Sequence, residues 1–477
     1  MGVNRARMVI AGLSGDSGKT IVSLSILAAL RRRGLKVAPF KKGPDYIDPA
    51  WLSEAAGFPC RNLDTYLAGF DSVLNAFTTY SHGAEMSVVE GNRGLFDGKD
   101  AKGTHSTAGL ARLLSAPLLL VVNTTKTTRT IAAIIKGCLE FEPKTHIAGV
   151  ILNKVAGERH QRVITESIEQ YTGLPVVGAI PKLGKDADII PGRHLGLVPP
   201  AEYMAADGVT DKLCQIAESY LDLDKIIDIA QHAPRLNEVK TTAKKTETPS
   251  VRIGYFKDSV FTFYYPENLE ALQAHGAKLV PVSSLTDSKL PEIDALYIGG
   301  GFPETHAQQL SLNQSLMESV KAAANRNLPI YAECGGLIYL CRSLKWKDQA
   351  FSMAGVFPLD LEMSVKPVGH GYTKGTVDTD GPYFKAGMVI KGHEFHYSGV
   401  IPGQDEITSC IEMKKGVGLG SKRDGLLFKN SMASYMHIHA SGVPEWAEAM
   451  VNKAKAYAQT KNGSGGGNIS GFRIACL

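Results

Sequence analysis

An apolar run at Met8–Gly12 leads directly into Leu-Ser-Gly-Asp-Ser-Gly-Lys-Thr. Apolar residues at helical spacing follow, at Ile21, Leu24, Leu27 and Leu30. A strand, a glycine-rich turn and a helix in that order can aim backbone N–H groups and a helix N-terminus at phosphate oxygens. Gly12, Gly15 and Gly18 supply the turn, Lys19 would neutralise β- and γ-phosphate charge, and the Thr20 hydroxyl would ligate Mg²⁺. Leu13 stands where the common form has its first glycine, with Gly12 one place earlier, so the loop is one residue longer than usual. Such a loop works at the carboxyl edge of a parallel sheet, and it therefore constrains the whole fold around it.

The surrounding pattern agrees. Short β-branched runs at 8–12, 35–40, 86–90, 118–122, 146–152 and 174–180 alternate with amphipathic stretches, which implies a parallel sheet with helices on both faces. The pattern lapses over His232–Ser250, rich in Lys, Thr, Glu and Pro, and resumes at Val251. Expected boundaries are thus 1–231 for a nucleotide- and substrate-binding domain, 232–250 for a linker, 251–460 for a second α/β domain, and 461–477 for a flexible Gly-rich tail.

Two further segments fall on the sheet edge where ligands gather. Lys41–Pro49 (KKGPDYIDP) carries Lys41, Lys42, Asp45 and Asp48, and Val88–Gly98 (VVEGNRGLFDG) carries Glu90, Arg93 and Asp97. Thr20, Asp48 and Glu90 form the candidate Mg²⁺ set. Asn153, after another strand, either satisfies its own turn or pairs with an adenine edge.

In the second half, Cys334 follows the apolar run Leu328–Ala332 and precedes an amphipathic stretch. A nucleophile on a sharp strand-to-helix turn needs small neighbours, here Gly335 and Gly336, and a helix N-terminus favours thiolate. Gly300 and Gly301 of Tyr297–Glu304 (YIGGGFPE) are candidate oxyanion-hole donors. Ser434–Ala440 (SYMHIHA) offers His437 as base, with His439 two residues on and on the same face of a strand. The HEFH run at His393–His396 is one residue short of a zinc motif, and its two imidazoles would lie on opposite faces of a strand, which argues against a metal site.

The long phosphate loop resembles that of the dethiobiotin-synthetase group of P-loop enzymes, which use ATP to make mixed anhydrides at carboxylates or carbamates. Asn123 stands where those relatives more usually carry Asp. AECGG, IGGGFPE and YMHIH resemble a class I glutamine amidotransferase domain of the cobyrinate/cobyrate synthase family, and FTFYYPENLEAL with GHEFHYS is similar to its a,c-diamide branch. The resemblance implies a fused enzyme in which Cys334 and His437 release ammonia from L-glutamine. The first domain would use ATP and Mg²⁺ to phosphorylate the a- and c-side-chain carboxylates of cobyrinate, c first, for amidation. His439 replaces the Glu that completes the usual triad, and leaves Glu333 and Glu445 as acids that could orient His437. An anionic tetrapyrrole-derived macrocycle would give Lys41, Lys42, Arg61, Arg93, Lys99 and Arg129 carboxylates to bind. Cobyrate synthase, a nickel-sirohydrochlorin a,c-diamide synthase and, from another class, a P-loop switch ATPase with an inert glutaminase-like domain are the alternatives.

Composition limits the rest. Lys+Arg 52 against Asp+Glu 47 gives +5 over 477 residues, which does not point to nucleic acid. Seven scattered cysteines without a C-x-x-C pair suit a reducing cytoplasm, and neither a leader nor a membrane span is expected. A homodimer is compatible with all of this.

Overall fold

The structure, a computed structural model, describes residues 5–183, 190–193, 196–203, 206–236, 247–403 and 408–463. The chain forms two units, Met1–Thr242 and Ala243–Leu477. Of the segment read as a linker, 237–246 lie outside the described residues, as does the tail beyond 463.

The first unit is built on seven strands: β1 (Ala6–Gly12), β2 (Val37–Lys42), β3 (Arg61–Leu63), β4 (Met86–Gly94), β5 (Leu118–Asn123), β6 (Ile147–Val155) and β7 (Val176–Pro181). Their order is β3-β2-β4-β1-β5-β6-β7, and every neighbouring pair is parallel. Six of these match the apolar runs in the sequence. The seventh, β3, is Arg-Asn-Leu, too short and too polar to announce itself. Met8, Val9, Ile10 and Ala11 of β1 are fully buried, as expected of a central strand covered on both faces. At roughly 1.5–3 kcal/mol for each large apolar side chain buried, this layer fixes the edge on which the phosphate loop sits.

One charged side chain lies inside that core. Arg7, with no solvent exposure, donates from Nε to Leu114 O (2.7 Å) and from its terminal nitrogens to Arg5 O (2.8 Å), Ser115 O (3.1 Å) and Pro234 O. Burial pulls its pKa down to about 10, which still leaves it charged at neutral pH.

The first unit also holds two short antiparallel strands, β8 (Gly192–Arg193) and β9 (Gly196–Leu197). The nine-stranded sheet of the second unit comprises β10 (Val251–Phe256), β11 (Ala277–Val282), β12 (Ala295–Ile298), β13 (Ile330–Glu333), then four strands flanking a smaller sheet, and the last. The smaller sheet contains β14 (Ser343–Trp346), β15 (Gln349–Ser352), β16 (Asp360–Met363) and β19 (Ser398–Val400). The remaining strands of the large sheet are β17 (Gly369–Val377), β18 (Val389–His396), β20 (Ser409–Lys415), β21 (Arg423–Phe428) and β22 (Ser431–Ser434). The large sheet runs β11-β10-β12-β13-β22-β21-β20-β17-β18, parallel from β11 to β22 and antiparallel beyond. A helix over Glu445–Gly463 covers it, three residues longer than the sequence pattern indicates. Among the described residues no helix is long and apolar enough to cross a membrane.

Replacing Arg7 with Met would orphan several buried carbonyls at about 1–3 kcal/mol each. Denaturant unfolding of R7M should therefore show a loss of at least about 3 kcal/mol; an unchanged midpoint would contradict this role for the guanidinium.

Candidate functional site

At the carboxyl end of β1 the chain turns through Ser14–Ser17 into the helix Lys19–Arg32. Gly18 caps that helix at φ +92°, a left-handed conformation that favours glycine, and a side chain there would overlap the Asn153 amide. Gly12 ends β1 against the Lys19 side chain, and Gly15 lines the cleft beyond. Asn153 Nδ2 donates to Ser17 O (2.9 Å) and its Oδ1 accepts from Lys154 N (2.9 Å), so this residue braces the loop. Asn123 Oδ1 accepts from Thr125 N (3.0 Å) and Thr125 Oγ1 (2.7 Å), a turn-stabilising arrangement that a carboxylate could also make.

Thr20, Lys41, Asp48 and Glu90 meet beneath the loop. Thr20 Oγ1 donates to Glu90 Oε1 (2.9 Å), and Lys41 Nζ reaches both Glu90 Oε1 (2.7 Å) and Asp48 Oδ2 (2.5 Å). Burial alone would lower the Lys41 pKa, but the two carboxylates outweigh it and hold it above the ordinary lysine value. Burial raises Glu90 despite Lys41. Lys19 is shifted down, by burial first and by Lys41 second. Glu90 Oε2 is buried without a hydrogen-bond partner. An unpartnered carboxylate oxygen beside a threonine hydroxyl and a second carboxylate is the hard-oxygen donor set that suits Mg²⁺, which takes one or two carboxylates and completes its shell with phosphate and water. The residues present therefore fit the ion.

These groups line a cleft of about 950 Å³, with Arg93, Thr125, Lys154 and Lys182 on its walls. Thr125 and Lys182 escaped the sequence reading; the only signal for them was their position just after β5 and β7. The expected carboxylate-binding cations are mostly used otherwise. Of the six, Lys41 and Arg93 line the cleft, and Lys41 is committed to Asp48 and Glu90. Lys42 is buried on the other face of β2, and burial depresses its pKa. Arg61 lies 3.8 Å over the Tyr80 ring, Lys99 4.6 Å over Tyr66 and Arg129 4.8 Å over Tyr171, all in cation–π contacts. Asp45 is a turn residue whose Oδ1 accepts from Ile47 N and Asp48 N (both 3.0 Å), and Asp97 Oδ2 accepts from Gly94 N (2.9 Å).

In the second unit Cys334 joins β13 to the helix Gly335–Leu340 at φ +48°, an outlier for a residue with a side chain and the mark of a nucleophile elbow. The expected help from the helix N-terminus is not what dominates. Burial, then Glu304, pushes the thiol well above its ordinary value. Cys334 therefore rests as a thiol and needs a base to ionise it.

The candidate base, His437, lies just past β22, the strand that pairs with β13. The His437 ring packs so closely on Gly300 that a Cβ there would lie 2.5 Å from Cε1. His393 stacks on its other side at 4.9 Å between centroids, and the two backbones form an isolated bridge. His437 Nδ1 lies 3.5 Å from Glu333 Oε2. The Tyr435–His439 stretch is not the strand that the sequence suggested: β22 ends at Ser434 because the chain departs to make this bridge to β18. His439 sits apart, 3.7 Å from Glu267 and in a tilted ring contact with Tyr265 at 4.8 Å between centroids. Glu445 is exposed in the first turn of its helix.

The oxyanion donors also need revision. Gly300 N–H is engaged with Phe263 O (3.3 Å), in a bridge that fixes the loop, and so is not available. Gly301 N lies 2.9 Å from where a Gly335 Cβ would be, so this glycine loop packs directly against the elbow. Gly301 itself, at φ +155°, has no room for a side chain against the Val260 carbonyl. Gly335 was legible only as a small neighbour.

Comparison with known proteins agrees with this geometry. A family model described as the CobQ/CobB/MinD/ParA nucleotide binding domain matches residues 8–191, and one described as the CobB/CobQ-like glutamine amidotransferase domain matches 252–444. The chain is 42% identical to the cobyrinate a,c-diamide synthase of Magnetococcus marinus over 448 residues, 92% of this chain and 95% of that one. It is 41% identical to that of Syntrophotalea carbinolica (94% and 98% covered) and 39% identical to that of Archaeoglobus fulgidus (94% and 97%).

Burial and the Asp48 charge push Asp45 up to about 7. The fold thus holds this proton more tightly than the unfolded chain does, and stability falls as pH rises from about 4 towards 7. Asp45→Asn keeps the Oδ1 acceptor and removes the titration. Its thermal midpoint should fall less steeply than that of the wild type across this window; identical slopes would refute the assignment.

Proposed function

The chain belongs to the cobyrinate a,c-diamide synthase family, and from that premise we propose that it amidates the a- and c-side-chain carboxylates of cobyrinate, a corrinoid of cobalamin synthesis, using ATP and L-glutamine. The observation that carries this reading is the presence in one chain of a phosphate loop over the Thr20–Glu90–Lys41–Asp48 cluster and a buried thiol elbow beside His437.

Each centre does what the other cannot. A carboxylate is a poor electrophile, so a carboxylate oxygen attacks the γ-phosphorus of ATP, ADP leaves, and an acyl phosphate forms. Lys19 and the loop N–H groups hold the transferring phosphoryl group, and Arg93 faces the cleft as a partner for the anionic substrate. Thr20, Asp48 and Glu90 would hold Mg²⁺, which supplies charge neutralisation on the phosphates. In the glutaminase unit His437 takes the thiol proton as Sγ of Cys334 attacks the glutamine side-chain carbonyl. The same proton passes to the leaving nitrogen, and ammonia departs from a glutamyl thioester. Water, deprotonated by His437, then releases glutamate. Gly301 and Gly335 N–H groups stabilise the oxyanion in both steps. Ammonia attacks the acyl phosphate carbon and expels inorganic phosphate.

Incubation with ATP, Mg²⁺ and glutamine, offering cobyrinate or nickel-sirohydrochlorin separately and counting amides by mass, tests the substrate. Two amides on cobyrinate are expected, and amidation of the nickel ring alone would overturn the choice. Cys334→Ser should lose glutamine-dependent synthesis and keep ammonia-dependent synthesis; loss of both would break the division of labour. Lys19→Ala should abolish synthesis from either nitrogen source, and retained activity would remove the phosphate-loop assignment.

A further inference from the structure

The usual third member of a thiol–imidazole–acid relay is absent from its expected place, two residues beyond His437, where His439 stands. We propose that Glu333, the residue immediately before the nucleophile, is the positioning acid of this glutaminase, reaching His437 from the far side of β13. The inference rests on the glutaminase reading of Cys334 and His437.

Alternation along β13 turns Glu333 away from the elbow at Cys334, into a pocket beneath the histidine segment. The carboxylate has no solvent exposure and is held on four sides. Tyr297 Oη donates to Oε2 (3.1 Å), Tyr331 Oη donates to Oε1 (3.3 Å), Ile438 N–H donates to Oε1 (3.1 Å), and His437 Nδ1 stands 3.5 Å from Oε2. Asn268 ties the same parts together: its Nδ2 donates to Ile438 O (3.0 Å) and its Oδ1 accepts from Ala440 N (2.7 Å). Each of the three hydrogen bonds to Glu333 uses a carboxylate oxygen as the acceptor, which fixes the orientation of the group beneath the histidine.

An acceptor at Nδ1 sets the tautomer. With its proton directed at Glu333, the imidazole keeps Nε2 unprotonated, and that nitrogen lies on the Gly300 side. Glu333 then stabilises the imidazolium formed when Sγ ionises. The ring has little room to move, because the Gly300 backbone crowds its Cε1 and Nε2 atoms and His393 stacks on it. The distance of 3.5 Å is that of a resting enzyme, where such contacts are commonly long. The other acids fail on position: Glu267 faces His439, and Glu445 is exposed.

Glutamine hydrolysis alone tests this, with no macrocycle present. Glu333→Gln keeps the size of the side chain but presents an N–H where Nδ1 needs an acceptor. Its kcat for glutamine hydrolysis should fall on the order of 10²–10⁴-fold, with KM for glutamine within about threefold of the wild type. Glu333→Asp, which draws the carboxylate back by one methylene, should recover at least about tenfold of that loss. A merely structural residue would let the polar isostere Gln outperform the shortened Asp, and that ranking, or a wild-type kcat in either variant, overturns the proposal. If E333Q does not fold, E333D decides: lowered kcat at unchanged KM supports the relay, and wild-type kcat ends it. Failure of the wild type to amidate cobyrinate would overturn the synthase reading while leaving this result standing.

Discussion

Glu90 can be fully buried under the phosphate loop, with Asp48 half-buried beside it, only because the Lys41 ammonium stands between the two carboxylates. Breaking such a pair by removing one partner costs about 3–5 kcal/mol, since the remaining charge has no solvent to turn to. The arrangement therefore couples three elements that are distant in sequence: the end of β2, the first turn of the next helix, and the middle of β4. It also keeps a cation-binding oxygen, Glu90 Oε2, available without letting the acidic pair repel itself apart. Lys19 then adds a second positive charge above the cluster, its pKa lowered first by burial and then by Lys41.

The second unit solves a different problem. A thiol in a dry site resists ionisation, as its strongly raised pKa shows, yet dryness is what prevents hydrolysis chemistry from running without substrate. The imidazole must therefore be placed and not merely be nearby. Gly300, His393 and the Glu333 carboxylate confine it from three directions, and the neutral His393, its own pKa well below the ordinary value through burial and through His437, adds no permanent charge to that confinement. Reaction chemistry in each unit thus depends on burial that would be destabilising without a partner.

Much of this was legible in the residues. The phosphate loop and Cys334 stand out because each sits where a strand ends, and strand ends can be read from apolar runs; Glu90 lies inside β4 and His437 three residues past β22. What could not be read depends on side-chain direction. Lys41 and Lys42 are adjacent and identical in type, yet the pleat sends one into the cleft and buries the other behind it. Arg61, Lys99 and Arg129 look like anion binders until their aromatic partners are known, and nothing local in sequence places Tyr80, Tyr66 or Tyr171 beside them. The two candidate oxyanion glycines, Gly300 and Gly301, look alike in sequence for a similar reason: only the bridge between Phe263 and Gly300 shows that the Gly300 N–H is already engaged.

The Arg7 guanidinium links β1 to Pro234, well past the last helix of the first unit, and Leu236 packs into the same core. The polypeptide thus remains stitched to its own first strand until it has almost left the unit. Anyone dividing the gene to express the two halves separately would have to cut downstream of that stitch, because an end placed at residue 231, where the helical pattern stops, would strip the sheet of its innermost fastening.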